Sequence, residues 1–200
     1  MIKKIRNCQS GMTYVELIVV LGIFGIVSSI TMFDYNKFQD KIDIRVLSND
    51  IALKLVEAQK SSMSGKWNTK VNLVGWKPSY GVYFNANLAS NNNFIYFVDL
   101  DNDGSYDISS CSATGNGECL EQFSITKGNT ISSIGINSST GSLCSVNSIS
   151  LAFKRPQSTV IINPPIPSGC NMENIQINIS SPNGVTSFIK VFPSGRIQIR

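Results

Sequence analysis

The 200-residue chain contains no histidine and only 15% charged residues. The missing imidazole removes the commonest general base, the Ser-His and Cys-His nucleophile pairs, and the usual ligands of catalytic zinc. An enzymatic function is therefore not expected. Acidic and basic residues nearly balance: the net charge is +4, but Lys3, Lys4 and Arg6 supply most of it, leaving +1 after Gly11. A broad basic face for nucleic acid is therefore not indicated. Residues 128–153 carry no charge at all, and their surface must rely on Ser, Thr and Asn. No proline occurs before Pro78, so nothing forces a break in the first third.

What is present starts with an apolar run. Leu17 to Phe33 is seventeen residues without a charge, bounded by Glu16 and Asp34. At 1.5 Å per residue it spans roughly 25 Å, just short of a bilayer core of about 30 Å. Adding Met12 to Val15 brings it to spanning length only if Glu16 is tolerated, and an apolar environment makes a carboxylate costly without a partner or a function. The preceding residues are short, basic and free of acids, as a targeting segment would be. An ordinary secretory signal is the alternative, but no small-x-small cleavage site closes the run. These features predict a membrane-embedded segment over 12–33.

The helical period continues beyond it. Ile44, Leu47, Ile51, Leu55 and Ala58 recur at steps of three and four, a stripe that needs a sheet to cover it. The spacing predicts one helix over 12–64, about 75–80 Å long. From Asp34 to Lys60 five acids and five bases alternate, which reads as a solvated face. After Ser64-Gly65 the period changes to two. Strands are expected over Lys70–Trp76, Tyr80–Asn85, Phe94–Asp99, Leu120–Lys127, Thr130–Ile136, Ser148–Lys154, Thr159–Asn163, Asn174–Ser180, Thr186–Phe192 and Arg196–Arg200. The fold class is thus α+β: a long transmembrane and amphipathic helix on an antiparallel β-sandwich-like domain over 65–200.

The string Ser10-Gly11-Met12-Thr13-Tyr14-Val15-Glu16-Leu17-Ile18 resembles the prepilin-type N-terminus of type IV pilins and type II secretion pseudopilins. Looser likenesses to minor pilins and H-type pseudopilins follow at Tyr80–Phe84, Phe94–Asp107, Ser150–Pro156 and Ser194–Ile197. Met12 stands where phenylalanine is commonest in that family, and Tyr14 where leucine is usual. The resemblance implies a leader over 1–11 removed by a prepilin peptidase between Gly11 and Met12, and methylation of the new amine. It also implies assembly with other pilins or pseudopilins into a filament for secretion, motility or adhesion. The subunit would wait in the inner membrane as a single-pass protein, N-terminus inside and globular domain outside the cytoplasm. Glu16 then gains a physical reason: four residues from a free amine, it neutralises that amine once helices pack side by side.

Three further features bear on function. Cys8 falls in the leader, leaving Cys111, Cys119, Cys144 and Cys170, an even number that suggests two disulfides formed in an oxidising compartment. Of three connectivities, Cys111–Cys119 and Cys144–Cys170 close the shortest loops and are favoured; zinc lacks both C-x2-C spacing and histidine. Asp99, Asp101, Asp103 and Asp107 alternate around Gly104 like the start of a calcium loop, but Ser110 stands at the twelfth position, so calcium competes with a plain turn. Finally, DNA-capturing minor pilins carry Gly-Arg-x-Arg near the C-terminus, and Gly195-Arg196-Ile197-Gln198 departs from it at Gln198. A DNA- or surface-binding tip resting on Arg196 and Arg200 is the alternative function, with a polar strand face as the plain reading; nucleic acid is not the expected partner.

Overall fold

In the computed structural model the described residues are 11–70, 77–107, 111, 117–138, 143–156, 158–165, 170 and 172–200, without the side chains of 31–34, 36 and 143. One helix, α1 (Tyr14–Ser64), is followed by ten strands: β1 (Ser79–Asn85), β2 (Asn93–Asp99), β3 (Cys119–Ser124), β4 (Thr130–Ser138), β5 (Leu143–Val146), β6 (Ser148–Lys154), β7 (Thr159–Asn163), β8 (Met172–Ser180), β9 (Thr186–Val191) and β10 (Ile197–Ile199). The strand expected over Lys70–Trp76 lies, beyond Lys70, outside the described residues. The sequence reading missed β5, which places Cys144 in a strand.

The strands form two five-stranded antiparallel sheets, ordered β3-β2-β1-β6-β7 and β10-β9-β8-β4-β5. Register follows from alternation. In the first sheet Tyr80, Val82 and Phe84 point the same way as Phe94, Tyr96 and Val98; in the second, Ile131, Ile134, Ile175, Ile177, Ile179, Ile189 and Val191 form the buried face. Both faces join one core with Ile44, Ile51, Leu55 and Ala58 of α1. Each large aliphatic side chain moved out of water there contributes about 1.5–3 kcal/mol.

Polar contacts hold the helix on the sheets. Ser62 Oγ accepts from Tyr80 N at 2.7 Å, the Tyr96 hydroxyl donates to Ser61 Oγ at 3.2 Å, and Gln59 Nε2 donates to Gly195 O at 3.2 Å. Burial pushes the Tyr96 hydroxyl up to about 12, so it stays a donor. The helix stops where Gly65 takes a left-handed φ of 59°. Lys66 N then reaches Ser61 O and Gly65 N reaches Ser62 O, both at 3.0 Å, the pairing that satisfies the last carbonyls of a helix.

Two expectations are corrected here. The chain divides into two compact units, Met1–Gln39 and Asp40–Arg200. Among the described residues ten of eleven elements are strands, and the helical residues that pack on the sheets begin at Asp40. The fold is therefore a mostly β, two-sheet unit with the end of α1 in its core, not a long transmembrane helix laid on a β domain. Among the described residues no helix is long and apolar enough to cross a membrane, so the expected single-pass inner-membrane placement loses its basis. The physical reason is length and dilution: seventeen charge-free residues, including Gly22, Gly25, Ser28 and Ser29, fall short of the hydrocarbon thickness.

Candidate functional site

At the N-terminal end, Thr13 stands just before α1 and Glu16 in its first turn. Thr13 Oγ1 accepts from Glu16 N at 3.4 Å, and Leu17 N closes the first helical bond on Thr13 O at 3.2 Å. Thr-x-x-Glu is thus also an N-cap spacing, which satisfies donors that the first turn leaves open. The sequence reading missed this role, although the spacing before an apolar run was its signal. A Cβ at Gly11, Gly22 or Gly25 would meet nothing within 4 Å. No contact among the described residues therefore requires glycine at these three positions. Residues 1–10 of the expected leader lie outside the described residues.

From Met12 to Ile30 the large apolar side chains of unit Met1–Gln39 are between 46% and 78% exposed. A helix apolar around its whole circumference is ordinarily buried, so this stretch is a surface in need of a cover.

The acidic loop is built differently from a hairpin turn. After β2 the chain folds back so that Tyr106 packs on Phe97 (centroids 5.5 Å apart) and Tyr83 (5.1 Å), on the face of the first sheet turned away from the main core. A Cβ at Gly104, whose φ is 76°, would overlap Ile161. Tyr106 N donates to Ser150 Oγ at 3.0 Å. Asp99, wholly buried, accepts from Asn102 N at 2.7 Å and from Gly104 N at 3.1 Å. Glu118, also buried, accepts from Leu100 N and Asp107 N, both at 2.8 Å. These two carboxylates clamp the loop from below. Desolvation pushes Asp99 up to about 6 and Glu118 up to about 7, against the lowering effect of the amide donors; nearby carboxylates raise both further.

Glu118 was missed because it sits in a Gly- and Asn-rich stretch that reads as loop. Its neighbour Cys119 pairs with Cys111 across a Cα distance of 4.8 Å, and Cys144 pairs with Cys170 across 6.6 Å, the two short-loop pairings. Lys70 Nζ donates to Gly117 O and Cys119 O, at 2.9 and 2.8 Å, bracing the same corner.

For a cation, Asp99, Asp101 and Asp103 offer ligand oxygens within 4.8 Å of one another. Asp107 is not part of that trio, so the expected set of four is reduced to three. Asp101 Oδ1 and Asp103 Oδ1 already accept from Asp103 N and Ser105 N. Calcium takes six to eight oxygens, so the trio is half a shell and its fit is partial.

The C-terminal basic residues lie against different neighbours. The Arg196 guanidinium lies over the Phe192 ring at 3.8 Å, and Lys190 over Phe188 at 5.5 Å. Gln198 faces Lys190 across the β9–β10 ladder. Arg200 borders a cavity of about 300 Å³ with Lys41, Arg45 and Ser187.

Comparison with known proteins adds no identity: no family model matches the chain, and neither a curated protein nor a solved structure matches it.

Proposed function

We propose that this chain is a non-enzymatic structural subunit, resembling a minor pilin or pseudopilin, of a type IV pilus-like or type II secretion filament. In this reading prepilin peptidase cuts between Gly11 and Met12, and the N-terminal helix is then covered by like helices of neighbouring subunits. The observation that supports it most is the exposed apolar stretch from Met12 to Ile30. Burying it among other helices returns about 25 cal/mol for each Å² removed from water. The three glycines, which no contact among the described residues requires, agree with the reading: Gly11 for a peptidase, Gly22 and Gly25 for close approach of another helix.

Coexpression with an active prepilin peptidase tests it. The product is expected to lack eleven residues and to carry one added methyl on Met12, and Gly11→Val is expected to stay uncut. Intact Met1 alongside active peptidase overturns the reading. The N-cap bond at Thr13 uses the backbone N–H of Glu16, which every substitution keeps, so variants at this position report on the side chain and its charge. Glu16→Gln and Glu16→Ala are both expected to be processed and to fail in filament incorporation. Normal incorporation of Glu16→Gln would show that the charge is not needed for assembly.

A smaller proposal concerns the acidic loop: Asp99, Asp101 and Asp103 bind calcium weakly, with water completing the shell. It is supported by the convergence of their oxygens and by the rise in the Asp99 pKa, to which the charge of Asp101 adds and which a cation would offset.

A further inference from the structure

The part of α1 that packs on the sheets carries a second apolar face, opposite the buried one. Ile42, Val46, Leu53, Val56 and Met63 are all exposed, Val46 by 51% and Leu53 by 63%. With Asn49 and Lys60 they occupy positions 42, 46, 49, 53, 56, 60 and 63, alternating steps of four and three without a break. This is the 3.5-residue period of a coiled-coil seam. Val46 and Leu53 each follow a buried residue, Ile44 and Ile51, by two positions, about 200° around the helix. The seam therefore lies on the side of α1 opposite the buried stripe, with Val46 at its margin, where it borders a cavity lined also by Ser124, Thr126 and Lys127. Solvation does not select such a face, because a mixed-charge helix would place its polar residues there.

The flanks of the seam say what covers it. On one side stand Asp43, Asp50 and Glu57; on the other, Arg45, Ala52 and Gln59. Within the chain Asp43 pairs with Lys127 at 2.6 Å and Glu57 with Lys54 at 2.9 Å. Among the described residues no ion pair uses Arg45 or Asp50. In a parallel, in-register pair of these helices each residue of the Arg45, Ala52, Gln59 row meets the residue five positions later on the partner, in the row of Asp50 and Glu57. Arg45 of one copy then faces Asp50 of the other, and the reverse contact is made by symmetry. An antiparallel pair would instead set the row Asp43, Asp50, Glu57 against itself. In register, the polar seam residues Asn49 and Lys60 each meet their own counterpart, Lys60 at an a position where a single lysine sets register at a cost in stability.

We propose that residues 42–63 of α1 form a docking seam for the same segment of a second copy of this chain, running parallel and in register. The inference concerns a two-fold pair, which closes on itself, and so goes beyond the filament contacts of the assembly reading. It does not depend on leader processing, which uses Gly11 and would proceed even if the seam failed.

The test is oxidative crosslinking of the full chain in neutral detergent micelles, with Cys8→Ser throughout so that each variant adds one free thiol. Leu53→Cys is expected to give a covalent dimer on non-reducing gels severalfold faster than Lys41→Cys, an exposed position off the seam. Asp50→Arg, added to Leu53→Cys, sets Arg45 against a like charge and is expected to slow crosslinking severalfold. Adding Arg45→Asp as well restores an opposite-charge pair and is expected to recover the rate. Unchanged melting temperatures of the charge variants separate these effects from misfolding. Equal rates at positions 53 and 41, absence of crosslinking at 53, or absence of charge-swap rescue each overturns the parallel, in-register seam.

Discussion

The two halves of α1 are similarly rich in apolar residues and meet opposite fates. Before Ile30 every described side chain is exposed, whereas after Asp40 Ile51, Leu55 and Ala58 lose all contact with water. The difference lies in what lies alongside. The later half meets two sheets whose alternating strands offer a matching apolar face; the earlier half belongs to a separate compact unit, in which its described apolar side chains are exposed. Stability and assembly should therefore be separable along one helix.

Truncation in the two halves gives the largest contrast. Leu55→Ala removes a fully buried side chain, and such changes cost about 2–5 kcal/mol, the spread reflecting how far the site collapses. A urea melt of the full chain in detergent should show a loss in that range. Ile18→Ala, at an exposed position, should leave the same transition within about 0.5 kcal/mol while weakening incorporation into filaments. Equal loss from both would mean that the earlier half packs on its own chain.

The disulfides sharpen the contrast from the side of the β unit, since both lie there. On loop-closure grounds Cys144–Cys170, across a separation of 26, should contribute about 3.5 kcal/mol, and Cys111–Cys119, across 8, about 2.5. Thermal melts of Cys144→Ser/Cys170→Ser and Cys111→Ser/Cys119→Ser should rank accordingly. A reversed ranking would show that the acidic loop depends on its bridge more than chain entropy suggests.

How far this architecture was legible depends on the kind of signal. Strands such as β6 (Ser148–Lys154) and β8 (Met172–Ser180) announced themselves by apolar alternation, because a strand's two faces are written every second residue. The buried stripe of α1 was equally plain. Its outward seam was overlooked because the two stripes lie on opposite faces and cancel any single apolar direction. β5 (Leu143–Val146) was missed because four residues with one serine and one cysteine show no period. At the acidic loop the aspartates were visible, but Glu118 was not: its partners, Leu100 N and Asp107 N, are distant in sequence and only folding brings them near. The membrane expectation failed for a different reason. It was drawn from the apolar character of a run that is too short and too diluted by glycine and serine.

The buried carboxylates add a pH dependence to the β unit. Asp99 and Glu118 titrate higher in the folded chain than their ordinary values near 4, so the folded state binds protons more tightly than the unfolded one. Their contribution to stability is complete below about pH 4 and is lost as pH rises through about 6 for Asp99 and about 7 for Glu118. Between pH 5 and 8 the two together should lower stability by an amount on the order of a few kcal/mol. Glu118→Gln should flatten the upper part of that slope. A melting temperature that instead rises over this window would mean that the clamp is paired with a cation in solution.

That last outcome leads to the smallest expected effect, calcium. At pH 7.5 both clamp carboxylates are mainly ionised, and Asp101 and Asp103 add charge beside Asp99, so a cation binding the folded loop offsets repulsion that the unfolded chain does not suffer. With three carboxylates and a shell otherwise of water, affinity belongs at the weak, roughly millimolar end of calcium sites. Ten millimolar calcium should then stabilise the β unit by about 1 kcal/mol, a rise of a few degrees. Asp101→Ala/Asp103→Ala should abolish the rise, and at pH 5, where protons occupy the clamp, it should shrink in the unaltered chain. Magnesium, which demands tighter octahedral geometry, should give less. No shift at pH 7.5 would leave Asp99 and Glu118 as amide caps alone and the loop as a turn that holds itself.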